Sequence, residues 1–231
     1  MKEGSLTQFG KEHGLKSNTT YSEFKNQVPV RTYETFKPYI DRSLAGEESV
    51  TWPGMVKWFA KSSGTTSNRS KFIPVTKDSL EECHYKGGKD LLAIYCDNNP
   101  NAQLYKGKYL VMGGSSELSQ LNANAITGDL SAIIIENLPI WVELRRTPNK
   151  DIALMDNWEE KIEKMARATM VEDVSIVAGV PSWTLVLFKK ILEISGASSI
   201  KEVWPNFELY MHGGVSFKPY RNQFEQVVNA P

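Results

Sequence analysis

The sequence has no excess charge of either sign: 27 Lys and Arg are balanced by 27 Asp and Glu over 231 residues. That balance argues against a nucleic-acid binder held by bulk electrostatics, although it leaves room for a local basic patch. Cysteine is nearly absent, with Cys83 and Cys96 alone. Two thiols cannot make a disulfide framework, and only His13, His84 and His212 could join them, at spacings of no metal motif. No metal site is therefore predicted in these residues, and the cysteine usage fits a reducing, cytoplasmic compartment. No apolar run reaches the ~18 residues of a membrane span, and the polar start MKEGSLTQFG does not read as a secretory signal. Partners in a membrane or a nucleic acid are accordingly not expected. Repeats, low-complexity tracts and a Pro/Gly-rich linker are lacking too, so residues 1–231 read as a single unit.

What remains is an ordinary globular composition, 41% hydrophobic and 23% charged, with enough chain for a substantial core. Residues 5–50 predict helical and irregular segments, TQFGKEHGL, TYSEFKNQVPV and YETFKPYIDRSLAG, with Gly46 as a stop. Beyond Pro74, Thr76 can cap a helix whose first turn carries Glu81 and Glu82. Leu80, Cys83, Leu91, Ile94 and Tyr95 would form its apolar face, with Gly87 and Gly88 weakening its middle. The second half alternates more clearly. KYLVM (108–112), AIII (132–135), VSIVAGV (174–180) and FELYMHGG (207–214) predict strands. WEEKIEKMARATM (158–170) is an amphipathic helix with Trp158, Ile162, Met165 and Met170 near one face. A further helix starts near Ser182 and is closed by Gly196, and YRNQFEQVV is helical. Strand–helix alternation implies parallel crossovers, hence an α/β fold of parallel-rich sheets flanked by helices.

Three strand-like runs end in small residues: FAKSSGTT, YLVMGGSS and LYMHGGVS. Ligands of open α/β sheets bind at the carboxyl ends of strands, where glycine lets the backbone come close. In SSGTT, consecutive peptide N–H groups and hydroxyls could cradle an anion, with Arg69 or Lys71 neutralising a phosphate. The spacing is neither GxxxxGK[ST] nor GxGxxG, so it is no Walker A or dinucleotide-binding loop. Composition alone reads more simply as a solvated Ser/Thr-rich turn. The specific five-residue word, however, would arise by chance only about once in 10⁶ positions.

SSGTTSNRSKFIP resembles the first nucleotide-binding motif of adenylate-forming enzymes, the superfamily of acyl-CoA synthetases, luciferases and peptide-synthetase adenylation domains. More specifically, it resembles the auxin-responsive family of acyl-acid amido synthetases and its bacterial relatives. Ser62, Ser63, Gly64, Thr65, Thr66, Lys71, Ile73 and Pro74 fill that family's places. Asn68 stands where the family usually has glycine, and asparagine tolerates the left-handed region better than most residues. TQFGKEHGL, VPVRTYETFKPYI, LAGEESVTWPG, GVPSW, EVWPN and HGGVSFKPYRNQFE resemble further segments of the family in the same order, so the resemblance spans nearly the whole chain.

The resemblance implies part of the large N-terminal domain of an adenylate-forming enzyme. It implies ATP and Mg²⁺ as cofactors and two further substrates, a carboxylic acid and an amine or amino acid. It places Ser62, Ser63, Gly64, Thr65, Thr66 and Lys71 on the ATP phosphates. Gly213, Gly214 and Val215 would lie near the adenine. Val180, Pro181, Trp183 and Leu187 would border the acyl pocket. Local readings stand beside these. Gly213–Gly214 can simply turn a strand into a helix, Ser182 can cap a helix, and Trp183 and Leu187 at i, i+4 can be core. His212, Lys218 and Arg221 read most simply as structural or solvated. The family's metal-binding Ser-Glu pair, its ribose-binding acid and its mobile C-terminal domain are not in these residues, and relatives carry a helical segment before the TQFGK-like stretch. The remainder of a longer polypeptide is thus an expected partner. The alternative is a noncatalytic nucleotide- or acyl-binding or interaction module that retains the phosphate loop.

Overall fold

The run Val174–Gly179 shows no polar alternation because it lies inside a parallel sheet, where both faces are covered. The structure is a computed structural model that describes residues 1–62, 70–114 and 118–229. Its strands in chain order are β1 (Trp58–Ser62), β2 (Lys71–Val75), β3 (Lys108–Val111), β4 (Ser119–Gln120), β5 (Ile126–Gly128), β6 (Arg146–Thr147), β7 (Val174–Gly179) and β8 (Leu209–His212). The helices are α1 (Gln8–Glu12), α2 (Tyr21–Gln27), α3 (Tyr33–Leu44), α4 (Lys77–Ser79), α5 (Lys86–Asn98), α6 (Leu130–Glu136), α7 (Ile140–Glu143), α8 (Lys150–Ala153), α9 (Trp158–Thr169), α10 (Pro181–Ser195), α11 (Ile200–Val203) and α12 (Arg221–Val228). The chain divides into two compact units. One comprises Met1–Lys89 with Leu118–Ile133, and the other comprises Asp90–Glu117 with Ile134–Pro231.

The first unit holds a sheet of order β2-β1-β5-β4, in which β1 runs parallel to β5 and antiparallel to β2. Val56, Phe59 and Ala125 form its buried cluster, with Leu44 and Phe72 packed against them. Helices α1 to α3 precede it as the sequence predicts, and Gly46 follows α3 at a φ of +91°, a left-handed conformation that suits glycine. Thr76 caps α4 as expected, accepting from the Ser79 N–H at 3.1 Å. The apolar face expected for the helix beyond it does not form as one stripe. Leu80 is buried, but Cys83, Leu91 and Ile94 are exposed. A π-helical turn over Leu80–Tyr85 separates α4 from α5, and the residue it inserts rotates the later positions off the earlier face.

The second unit is a wholly parallel sheet of order β6-β3-β7-β8. Its core joins Leu110 and Val177 on the strands to Ile162 and Met165 on α9 and to Leu187, Phe188 and Ile191 on α10. Pro181 opens α10 at the first helical position, where its missing N–H is no loss, and Gly196 closes it at φ +71°. The strand expected at AIII (132–135) is instead α6. A four-residue apolar run carries no decisive period, and here the Ile133 N–H reaches the Asp129 carbonyl at 3.1 Å, a helical turn.

Phe188 is fully buried and meets Trp204, Phe207 and Phe224 edge-on, with ring centroids 5.8–5.9 Å apart. Phe188→Ala is expected to lower unfolding free energy by about 3–5 kcal/mol, read from urea unfolding of the intact chain. A loss under about 1 kcal/mol would show that this aromatic cluster does not hold the unit together.

Candidate functional site

All four strands of the second unit run parallel, so their carboxyl ends lie along one edge. After β3 the chain moves to β6 on one flank, whereas after β7 it moves through α10 to β8 on the other. The connections therefore diverge between β3 and β7, and that divergence is where open α/β sheets leave a crevice for ligands. Met112, Gly113 and Gly114 leave the sheet on one side of it, and Gly179, Val180 and Pro181 on the other. His212, Gly213 and Gly214 follow one strand further on.

The edge is closely fitted. A Cβ on Gly179 would lie 2.9 Å from Thr184 Oγ1 and 3.0 Å from Met112 Cβ, so no other residue fits there without a shift. The Tyr210 hydroxyl donates to the Gly179 carbonyl at 2.9 Å and lies 3.2 Å from Thr184 Oγ1, which itself donates to the Val180 carbonyl at 3.0 Å. Burial pushes the Tyr210 phenol up to about 12, opposed in part by its bond with Thr184. On the β3 side, the ammonium of Lys161, a fully buried residue of α9, donates to the Gly114 carbonyl at 2.7 Å and to that of Gly113 at 3.4 Å.

The residues expected to border ligand divide as follows. Gly214, at φ +81°, comes so near Val180 that an added Cβ would lie 3.3 Å from Val180 Cγ2. The structure thus brings a residue expected near adenine against one expected near the acyl group. Gly213 and Val215 are exposed beside it. Pro181 is buried at the start of α10, and half-buried Trp183 leans on Trp158 with ring centroids 5.2 Å apart. Leu187, one helical turn on, is fully buried within the hydrophobic core. His212 is exposed and stacked on Phe217 at 4.6 Å. Lys161 was not anticipated from the sequence. Its neighbours Glu159, Glu160, Glu163 and Lys164 are charged, and only its place beside Ile162 and Met165 hinted at burial.

In the first unit, β1 and β2 are the two arms of a hairpin, with Ser62 directly opposite Lys71. The expected phosphate-binding residues Ser63, Gly64, Thr65 and Thr66 lie outside the described residues, as does Arg69. Lys71 Nζ stands 5.2 Å from the centre of the Tyr33 ring, a cation–π contact. The Tyr33 hydroxyl in turn accepts from the Phe72 N–H at 2.9 Å. A cation and a hydroxyl residue therefore face each other where the Ser/Gly/Thr segment leaves and rejoins the sheet, a donor set suited to the phosphates of a nucleotide. Among the described residues no group of three or more His, Cys, Asp or Glu could hold a metal ion. Nor is any described helix long and apolar enough to cross a membrane.

A mixed sheet bearing the β1–β2 hairpin and a wholly parallel sheet with a glycine-lined carboxyl edge, together with their helices, define an α/β protein. The chain belongs to the GH3 family, whose N-terminal domain model matches residues 1–230. A jasmonoyl–L-amino acid synthetase, JAR4 of Nicotiana attenuata, is 32% identical over 82 residues, covering 35% of this chain and 14% of its own length. An indole-3-acetic acid-amido synthetase, GH3.6 of Arabidopsis thaliana, is 35% identical over 75 residues, covering 32% of this chain and 12% of its own. The solved structure of the GH3.15 acyl acid amido synthetase superposes on 98% of this chain with a TM-score of 0.71 at 15% identity, and one in complex with 2,4-DB on 93% with 0.74 at 17%. Those two show the shared fold, of which this chain spans 50% and 46% of their lengths, about half.

Two outcomes test this edge. Gly179→Ala should lower stability by about 1–3 kcal/mol, because neither Thr184 nor Met112 can retreat without breaking its own packing. Unchanged urea unfolding would mean the edge is looser than these distances. The second outcome concerns pH. The Tyr210 phenol moves from the usual 10.0 to about 12 on folding. An unfolded chain thus loses that proton first, and the stabilisation present below pH 10 is lost as pH rises towards 12. Tyr210→Phe should flatten the fall in stability over that interval, and an identical slope in the variant would rule the assignment out.

Proposed function

We propose that this chain is the nucleotide- and acid-binding part of an ATP-dependent acid–amido ligase, within a single large adenylation domain. The supporting observation is the β1–β2 hairpin, which sets Ser62 opposite Lys71 at the mouth of SSGTTSNRSK in a chain of the GH3 family. In this reading a carboxylate oxygen of the acid attacks the α-phosphorus of ATP. A new P–O bond forms, the bond to the bridging oxygen breaks, and pyrophosphate leaves. An amine then attacks the acyl carbon and AMP departs, leaving an amide. The substrates named for the relatives, jasmonate, indole-3-acetate and amino acids, set the class of acid and amine to try first.

Both steps depend on holding negative charge in place while bonds exchange. Ser62, Ser63, Thr65, Thr66 and the backbone at Gly64 would donate to the β- and γ-phosphates, with Lys71 supplying positive charge beside the leaving pyrophosphate. Leaving the Tyr33 ring for a phosphate exchanges a cation–π contact for a charge-assisted bond, the stronger of the two. Gly213, Gly214 and Val215 would pass beside the adenine. Val180, Pro181, Trp183 and Leu187 would shape the acyl side, Leu187 through the packing beneath. Mg²⁺ carried with ATP would neutralise phosphate charge.

The test is acid-dependent exchange of labelled pyrophosphate into ATP, run on the longest polypeptide that contains this chain, with indole-3-acetate and jasmonate as acids. Lys71→Ala should abolish exchange and weaken ATP binding at least about tenfold, as loss of a charged hydrogen bond predicts. ATP binding without any acid-dependent exchange would leave a binding module and sink the ligase reading. Unaltered ATP affinity in both Lys71→Ala and Thr65→Ala would remove the phosphate loop from it.

A further inference from the structure

Lys161 poses a question that neither the family nor the motif answers. It sits in α9, whose buried face is already supplied by Ile162, Met165, Ala166 and Thr169. Packing alone would be served by an apolar side chain at 161, and a lysine is among the last residues found fully buried unless its ammonium is held by partners. Here the ammonium reaches the carbonyls of Gly113 and Gly114, the two residues by which the chain leaves β3 at the switch point. Neither glycine carries a side chain that could anchor the segment by packing. This ammonium bonds both of their peptides, while at the facing lip the Gly179 carbonyl accepts from Tyr210, which also meets Thr184.

We propose that Lys161 is the positioning residue of the crevice between β3 and β7, fixing the Gly113–Gly114 lip against which an organic acid is held. The inference rests on the ligase reading for the identity of the ligand, a carboxylic acid, and on the second unit's own geometry for the lip. Lys161 touches no reacting atom in this scheme. It acts through the two peptides, as an outer residue orients the groups that make first contact. Burial from water strengthens that hold and makes it intolerant of replacement.

Two readouts on the intact polypeptide separate positioning from a general contribution to folding. The first is hydrogen exchange measured on peptides covering residues 109–114 in the wild type, Lys161→Met and Lys161→Arg. Lys161→Met should exchange roughly tenfold faster there, with peptides of β8 and α12 unchanged, and Lys161→Arg should recover part of the protection. The second is the indole-3-acetate concentration giving half-maximal pyrophosphate exchange. It should rise about tenfold in Lys161→Met while that for ATP stays within about twofold. Unchanged exchange at 109–114 overturns the proposal. So does faster exchange spread evenly over the second unit, which would make Lys161 a core residue only. Equal losses for acid and ATP likewise remove the acid from it. If the wild type catalyses no acid-dependent exchange, the ligase reading and the acid both fall, and the hydrogen-exchange pattern alone still decides whether Lys161 holds the lip.

Discussion

Gly179 has no room for a side chain, and much of the second unit follows from that closeness. With Thr184 Oγ1 and Met112 Cβ both within about 3 Å of where a Cβ would stand, β3, β7 and the first turn of α10 meet at van der Waals distance. Only a bare peptide lets the three approach, and once they do, the Gly179 carbonyl is left to be satisfied at the sheet edge. Tyr210 does this from the neighbouring strand, reaching over with its hydroxyl while its ring stacks on Phe224 at 4.8 Å. Burial of a phenol without its oxygen paired would be unfavourable, so the tyrosine both needs and supplies this bond. Packing at one glycine thereby sets the hydrogen bonding of one lip of the crevice.

The other lip is built on the opposite principle. Gly113 and Gly114 offer carbonyls but no side chains, and the group that meets them is an ammonium set into a hydrophobic helix face. One side of the switch point is thus fixed by shape and the other by charge. A polar group of this kind is a departure from the apolar pattern of α9, and such departures concentrate where a site must be held rather than where a core must be filled.

How far the sequence foretold this differs element by element. VSIVAG, WEEKIEKMARAT and the helix between Pro181 and Gly196 were legible because period, length and end signals all agreed. Thr76 was legible as a cap because its side chain has one use in that position. AIII was not, since four apolar residues fit either a strand or a helix and the deciding contact is a backbone bond to Asp129. The second arm of the hairpin, KFIPV, is not legible as a strand, since a proline within a short apolar run is compatible with a strand only at a sheet edge and nothing local reveals an edge. For the candidate site, the strands ending in small residues were legible as runs, but Lys161 reads as one more charge among Glu159, Glu160, Glu163 and Lys164. Its burial is set by α9 lying on β3, a contact between residues nearly 50 positions apart.

The hairpin shows why a ligand motif and a folding motif can share the same letters. β2 is an edge strand, and the Phe72 N–H points away from β1 to the Tyr33 hydroxyl. Backbone groups alternate in direction along a strand, so the nitrogen of Pro74, two residues on, points outward as well. A proline there costs no ladder bond, and it leaves the outer edge without a donor with which another strand could pair. The aliphatic–proline ending of SSGTTSNRSKFIP therefore has a sufficient cause in the sheet, whatever the loop binds. Lys71 does not, because its ammonium satisfies no ladder bond and, among the described residues, rests on the aromatic face of Tyr33. Of the residues in that motif within the described structure, the Lys71 ammonium and the Ser62 and Ser70 hydroxyls take part in no ladder bond, and under the proposed function a phosphate is the partner they would share.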